Sequence, residues 1–307
     1  MQVRGQFSDF FFETALPALN AKIWLNFDNA PRMYNKVLGT ETTGRSIEQY
    51  SQMAGTGLPA LIPETGDTPV DNFVQGFNKT FRPAKYGLGI ACSQELVEDD
   101  QFGIISRRSV ALSNSIIQSI EIQAASVLNN GFTTTGPDGK ALFAVDHPLV
   151  KSGGTQSNVL AAAADLDVTS LELALTDWET TKTAEGFLQM LSTPRLLVAP
   201  ANRWNAYEIL RSTMRSDTAN HTANAFSGGG EHGNAVADIL IWKFLTDPDA
   251  WFLVAPPDET CLLWLWRKQP YTKDDYIEKN ETGYVFMRYR ADFGFYDWRG
   301  TYGTPGA

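Results

Sequence analysis

FGIISRRSVALSNSIIQSIEIQAASVLNN, residues 102–130, is the stretch on which the fold turns. Ile105, Leu112, Ile116, Ile120, Ala124 and Val127 recur at steps of three, four or seven, so they share one face of a helix. Asp99 and Asp100 precede it, where carboxylates favour the N-terminal end of the helix dipole. Gly131 follows Asn129-Asn130 and is placed to supply a left-handed C-terminal cap. At about 1.5 Å per residue such a helix runs roughly 40 Å, long for an ordinary globular domain and suited to a strut.

On the C-terminal side, the turn-rich stretch 133–158 leads to a second helix. That helix is opened by the capping-box spelling Thr169-Ser-Leu-Glu172 and faced by Leu171, Ala174, Leu175 and Trp178. Pro194-Arg-Leu-Leu-Val-Ala-Pro200 reads as a buried strand between prolines, and Trp204, Tyr207, Leu210 and Met214 mark a third helix. Residues 169–214 therefore read helix–strand–helix. Residues 215–235, with Ser227-Gly-Gly-Gly230, read as a mobile loop. Ile239–Leu245, Trp251–Ala255 and Cys261–Trp266 are short strands; Tyr271–Lys279 and Tyr284–Arg290 form a hairpin over Asn280-Glu-Thr-Gly283.

On the N-terminal side, Phe73–Phe81 and Tyr86–Cys92 are strand candidates flanking Arg82-Pro83, with Pro63-Glu-Thr-Gly-Asp-Thr-Pro69 as a turn-rich tip. The spacing predicts a long two-stranded excursion over 61–92. A lone hairpin is marginal in water, so an excursion of this length needs another surface. In the first 60 residues, Phe10, Phe11, Phe12, Leu16 and Leu19 suit a short amphipathic helix ended near Pro17 or Asn20. Trp24 and Phe27 carry the apolar pattern on to Pro31. Gly39-Thr-Glu-Thr-Thr-Gly44 and Gly55-Thr-Gly-Leu-Pro59 then read as an extended arm with little core of its own, whose aromatics need a partner surface.

The chain has 307 residues, room for two compact units or for one core with long extensions. It is 43% hydrophobic, with 8 Trp, 10 Tyr and 18 Phe, a composition that excludes a disordered chain. Its 25 Lys+Arg against 35 Asp+Glu give −10, which disfavours tight nucleic-acid binding and favours repulsion between copies. Cys92 and Cys261 stand in no CxxC or Cys/His spacing and read as buried thiols of a reducing cytosol. Asp9 and Glu13 interrupt the apolar N-terminus, so no signal peptide is expected. Apolar runs such as Cys261–Trp266 are too short to span a membrane.

The motifs that could carry chemistry each have a plainer reading. Gly55-Thr-Gly-Leu-Pro-Ala60 matches a loose dinucleotide pattern, but Gln52-Met-Ala54 does not read as the strand that must precede it, and Pro59 falls inside the loop. Gly131 and Gly136 have phosphate-loop spacing, yet Pro137 stands where Lys is needed; Thr135–Lys140 reads as a tight turn. Asp146-His147-Pro148 can be drawn as an acid–base pair, but its Asp and Pro suit a turn. Neither His221 nor Glu231-His232 has zinc spacing. Glu95, Glu98, Asp99 and Asp100 lack an EF-hand loop and read as helix N-terminal charge, facing Lys79, Arg82 or Lys85. The expectation is a building part: no enzyme, no cofactor, no metal, no catalytic residue.

Several stretches in order resemble tailed-phage major capsid proteins of the HK97-like fold, and among them the Mu-type major head subunits. They are Thr80-Phe-Arg-Pro-Ala-Lys-Tyr-Gly-Leu-Gly-Ile90 with Glu95-Leu-Val-Glu-Asp-Asp100, Gly136-Pro-Asp-Gly-Lys-Ala-Leu-Phe-Ala-Val-Asp-His-Pro148, Pro194–Pro200 and Phe293-Gly-Phe-Tyr-Asp-Trp-Arg-Gly300. The resemblance implies an α+β fold with an N-terminal arm (1–60), an extended two-stranded loop (61–92) and a peripheral domain (93–190) with spine helix 102–130. An axial domain (191–264) and a C-terminal hairpin returning to the peripheral domain (265–307) complete it. The function implied is an icosahedral head shell around a double-stranded DNA genome, assembled from hexamers and pentamers in the host bacterial cytoplasm. The DNA is enclosed without sequence-specific binding. A separate scaffolding protein, a portal and cement proteins are the implied partners. An encapsulin-like compartment subunit shares the fold and is the alternative. Some relatives crosslink a loop Lys to a neighbour's Asn with a Glu assisting; Lys79 and Lys85 are candidates here, but the sequence places no Asn or Glu partner, so crosslinking forms no part of the expectation.

Overall fold

A computed structural model describes residues 16–64, 66–93, 95–96, 103–213, 224, 226, 235–277, 279 and 281–307. In chain order the elements are α1 (Leu16–Asn29), α2 (Tyr34–Val37), β1 (Gly39–Thr42), β2 (Glu48–Ala54), β3 (Val74–Phe81), β4 (Ala84–Ser93), α3 (Ile104–Asn129), β5 (His147–Pro148) and β6 (Thr155–Gln156). There follow α4 (Val168–Glu179), β7 (Arg195–Val198), α5 (Arg203–Arg211), β8 (Ile239–Ile241), β9 (Trp251–Val254), β10 (Leu262–Ile277), β11 (Thr282–Phe295) and β12 (Thr301–Thr304). The architecture is α+β.

The strut is α3, and all six of its expected face residues are buried. Asp99 and Asp100 lie outside the described residues. The C-terminal end differs from expectation. Asn130 closes the helix at φ −98°, with its N–H donating to Ser126 O, and Gly131 is not left-handed. Glycine is needed there for space instead: a Cβ at Gly131 would stand 2.6 Å from the Phe143 ring.

One side of α3 carries α1, which buries Leu16, Leu19, Ile23 and Phe27. The N-terminal region is therefore part of the main core rather than an arm without one. Pro17 sits in the first turn of α1, where its missing N–H costs no helical bond, so it does not end the helix. Phe10, Phe11 and Phe12 lie outside the described residues. β1, within the stretch read as an extended arm, pairs parallel with β10, Gly39 opposite Leu263.

The other side of α3 carries a sheet of order β1-β10-β11-β4. Its inner face buries Leu262, Trp264, Trp266, Val285, Met287, Tyr289 and Ala291. The expected hairpin is present but longer. The strand at Cys261–Trp266 and that at Tyr271–Lys279 are one strand, β10, interrupted by register shifts around Lys268. Tyr289 OH bonds Gln123 Oε1 and Ser119 Oγ, each at 3.0 Å, tying sheet to strut.

A second sheet, β12-β9-β7-β8, is covered on both faces. Leu197, Phe252 and Val254 enter the main core, while Leu196, Val198, Trp251 and Leu253 enter a second core with α4 and α5. That is why Leu196–Val198 and Trp251–Val254 read as unbroken apolar runs. The cap of α4 lies two residues upstream of Thr169: Ser170 Oγ accepts from the Asp167 N–H at 2.9 Å. α5 buries Ala206 and Ile209, and Trp204 is 76% exposed, so the expected aromatic stripe is not its core face. Met214 lies outside the described residues, as does the 215–235 loop apart from Asn224, Phe226 and Ala235.

Candidate functional site: the excursion and its anchors

The two-stranded excursion exists, and the expected Phe73–Phe81 strand is β3, but its partner is not the one expected. β2 pairs antiparallel with β3, from Glu48 opposite Phe81 to Ala54 opposite Val74. The strand beyond Arg82-Pro83, β4, leaves the excursion and joins β11, Ala84 opposite Ala291 through Ser93 opposite Thr282. Glu48–Ala54 carries no β-branched residue, so pairing with β3 rather than propensity makes it a strand.

The root of the excursion is aromatic. Phe81 is buried against Leu263 and Leu265 on the outer face of the first sheet. Tyr50 meets Phe81 edge-on at 5.4 Å and stacks on Tyr296 at 5.4 Å. Tyr50 OH also donates to Glu41 Oε2. Burial first, and then the neighbouring carboxylate, raise the Tyr50 pKa. Further out, Gln52 Nε2 donates to Asp297 Oδ2 at 2.8 Å, and Asp297 is held by buried Arg299 at 2.9 Å.

A clasp closes the base of the loop between β2 and β3. Lys151 Nζ lies 2.7 Å from Asp71 Oδ2, which also accepts from the Gly57 N–H at 2.6 Å. The Lys151 hydrogen bond, then the backbone N–H groups of Gly57 and Asn72, lower the Asp71 pKa to about 2. Lys151 thus pins a loop that carries no strand or helix among its described residues.

Beyond the clasp the loop is open to solvent. Leu58, Leu61, Ile62, Val70 and Phe73 are exposed, Leu61 at 99% and Val70 at 90%. So many large apolar side chains on one short segment mark an interaction surface. Gly55–Ala60 lies in this exposed loop with no helix after it, which excludes a dinucleotide cradle.

The other flagged residues have structural roles. His147 is fully buried, but in a strand rather than a turn, β5 being paired with β6. Its acid is Asp138, at 2.6 Å from Nδ1, and not Asp146, which pairs with Lys140. Asn158 gives both its amide hydrogens to carbonyls, of Leu142 and Thr301, so its Oδ1 accepts from His147 Nε2 at 3.1 Å. The ring stacks on Trp298 at 4.6 Å. This network fastens the 138–158 loop to β12 inside the fold. Thr135–Lys140 is the expected turn, closed by the Gly136 N–H donating to Lys140 O at 2.6 Å. Glu98, Asp99, Asp100, His221, Glu231 and His232 lie outside the described residues. Cys92 is buried; Cys261 is half-buried, its thiol pushed up to about 12 by desolvation first and then by the nearby Asp297 charge. Among the described residues no helix is long and apolar enough to cross a membrane, and no group of three metal-ligating side chains forms.

The residue that sequence reasoning missed is Glu121, a buried acid on the strut. Its Oε1 accepts from the N–H groups of Met33 and Tyr34 at 2.7 and 3.3 Å, and its Oε2 accepts from Trp242 Nε1 at 2.7 Å. One carboxylate thus joins the N-terminal helices, the strut and the segment after β8.

A family model described as phage capsid protein matches residues 78–303. Among solved structures, the capsid of cyanophage P-SCSP1u is similar with a TM-score of 0.59 at 9% identity, over 91% of this chain and 90% of that one. The mature capsid of bacteriophage PhiM1 gives 0.59 at 8% identity, over 90% and 87%. A virus-like particle from Pyrococcus furiosus gives 0.53 at 9% identity, over 95% and 99%. No curated protein matches. At these identities the likeness shows the fold, with its strut helix, two sheets and projecting excursion. The family match covers most of the chain: it belongs to the phage capsid protein family, and it is a major capsid protein with the HK97-like fold.

Proposed function

We propose that copies of this chain associate as hexamers and pentamers into an icosahedral shell, held together by the 48–81 excursion laid across a neighbouring copy. The observation that carries this reading is the exposed apolar loop between β2 and β3, which a monomer leaves in water. Each contact is weak and reversible, and many act together. In this reading the extended loop is 48–81. The peripheral domain is the strut with the β1-β10-β11-β4 sheet, to which the C-terminal hairpin belongs. The axial domain is the β12-β9-β7-β8 sheet with α4 and α5.

The shell encloses double-stranded DNA without sequence-specific contact, and the −10 charge suits a container that must not grip its contents. Assembly takes place in the host cytoplasm with a separate scaffolding protein, a portal and cement proteins, and involves no catalytic turnover. The likeness to Mu-type head subunits is retained in this reading. An encapsulin-like compartment draws on the likeness to the Pyrococcus particle alone, whereas the family match favours a phage head.

The decisive experiment is a loop deletion read by electron microscopy. Removing 61–90 would also remove most of β4 and open the sheet. The test variant instead joins Ala54 to Val74, which are opposite one another, through an Asn-Gly turn. Soluble folded subunits that form no shells are expected; normal shells would overturn the proposal.

A further inference from the structure

The helical layer carries a charge pattern that the fold does not use. α1, α2 and the strut α3 pack on the inner face of the β1-β10-β11-β4 sheet, while the excursion is rooted through Phe81 on Leu263 and Leu265 of its outer face. Helices and excursion root therefore lie on opposite sides of that sheet. Residues 16–37 and 104–129 hold five cations, Lys22, Arg32, Lys36, Arg107 and Arg108, and two carboxylates, Asp28 and Glu121. Taken from the 25 Lys+Arg and 35 Asp+Glu of the whole chain, these leave the layer at +3 and the remainder at −13. Glu121 is buried with both oxygens engaged, so Asp28, at 4.0 Å from Arg32, is the one carboxylate of these helical segments that meets solvent.

The strut is the sharper case. Arg107, Arg108, Asn114, Ser115, Gln118 and Ile122 are exposed along it, and no exposed acid stands among its 26 residues. A solvent-facing helix ordinarily carries both signs, above all in an acidic chain. Lys22 Nζ donates to Ser106 Oγ, and Asn26 Nδ2 donates to Asn114 Oδ1 at 2.7 Å, so α1 runs parallel to the strut and brings Lys22 to its first turn. Among the described residues Lys22, Lys36, Arg107 and Arg108 have no ion pair. Ile104 and Ile122 are also exposed, but at about 1.5 Å per residue they stand roughly 27 Å apart and form no continuous apolar patch. Ahead of the strut Glu95 is exposed, and Glu98, Asp99 and Asp100 lie outside the described residues.

We infer that this layer is the side of the shell wall turned to the packaged genome, where Lys22, Lys36, Arg107 and Arg108 meet DNA phosphates. The inference rests on the reading above, that the chain builds a DNA-filled shell. Lys, Arg, Asn, Gln and Ser side chains donate to phosphate oxygens without reading sequence, and the strut opposes a polyanion with no exposed carboxylate. The remainder of the chain repels DNA, so the contact is local, weak and reversed by salt. The outer face of the sheet carries Lys85, Lys268, Lys273, Arg288 and Arg290 as well, but Glu41, Asp275 and Asp292 stand among them and the excursion is rooted there.

The test is lysine acylation of DNA-filled and emptied particles of the full chain, read by mass spectrometry. Lys22 and Lys36 should react several-fold more slowly in filled particles, and Lys268 and Lys273 alike in both. On unassembled subunits, Arg107→Gln with Arg108→Gln should leave circular dichroism unchanged. The same pair should take about 1.8 from the slope of log K against log[NaCl] for a short random-sequence duplex. Lys268→Gln with Lys273→Gln should leave that slope as it is. Equal reactivity of Lys22 and Lys36 in filled and emptied particles, or a slope untouched by the Arg107/Arg108 pair, would overturn the assignment. Protection in DNA-free precursor shells that is lost in filled ones would make the layer a seat for an assembly protein, and the proposal would fall. If the chain builds no DNA-filled shell, the parent reading fails instead, and the slope still tells whether these cations meet phosphate.

Discussion

The strut region and the excursion both carry large apolar side chains, put to opposite uses. Around α3, the large side chains of the helix face are buried in one core with those of α1 and of the inner face of the β1-β10-β11-β4 sheet. On the excursion, Phe81, Tyr50 and Ala54 are packed, while Leu58, Leu61, Val70 and Phe73 stand in water. On the proposed reading, the difference separates residues that fold the subunit from residues that join subunits. A change in the first region should be read as lost stability, and one in the second as lost assembly.

Four perturbations sharpen that division. The largest effect is expected at Glu121. Glu121→Ala would leave the Met33 and Tyr34 N–H groups and Trp242 Nε1 buried without an acceptor, and should destabilise the subunit by about 3–5 kcal/mol in urea unfolding. Phe81→Ala, at the boundary between regions, should cost about 3 kcal/mol and raise hydrogen exchange along β2 and β3. Loss of the Asp71 clasp should be milder and dependent on pH. Because the folded pKa is depressed to about 2, the Lys151 contact is fully present above the ordinary carboxylate range and is lost as pH falls through about 2. A carboxyl titration by NMR should show this midpoint, and Asp71→Asn should abolish it and speed exchange at Gly57. The smallest effect on the subunit is expected from Leu61→Asp, within about 0.5 kcal/mol, yet shell yield should collapse. If Leu61→Asp unfolded the subunit, or Glu121→Ala left it intact, the division would be wrong.

What could be read in advance follows the same line. The strut and the β10–β11 hairpin carry their structure as a local period, 3.6 or 2, and both were legible. β2 was not, because Glu48–Ala54 becomes a strand only through a partner in β3, beyond the intervening loop. The core role of the N-terminal helix was also hidden: its apolar positions are visible in sequence, but the groove of α3 that receives them is a tertiary fact. On α5 the large Trp204 drew attention to the wrong face, when small Ala206 packs the core and Trp204 stays exposed. A single acid on a helix leaves no periodic trace, so Glu121 and the Asp138–His147 pair were beyond the reach of pattern. The exposed loop was legible in part, as a turn-rich tip that needed a surface.

The aromatic root of the excursion has a consequence for biogenesis. Tyr50 and Phe81 complete their packing only against Leu263, Leu265 and Tyr296, so the loop cannot be presented in its final orientation until nearly the whole chain has left the ribosome. The main sheet obeys the same order, since β1 and β4 must wait for β10 and β11. Nascent chains on one message therefore cannot offer each other finished docking parts. A chain stalled at residue 255 should leave 48–93 open to protease, and release of the full length should close it. Late closure of the root would act as a timer that holds back association until each subunit is whole.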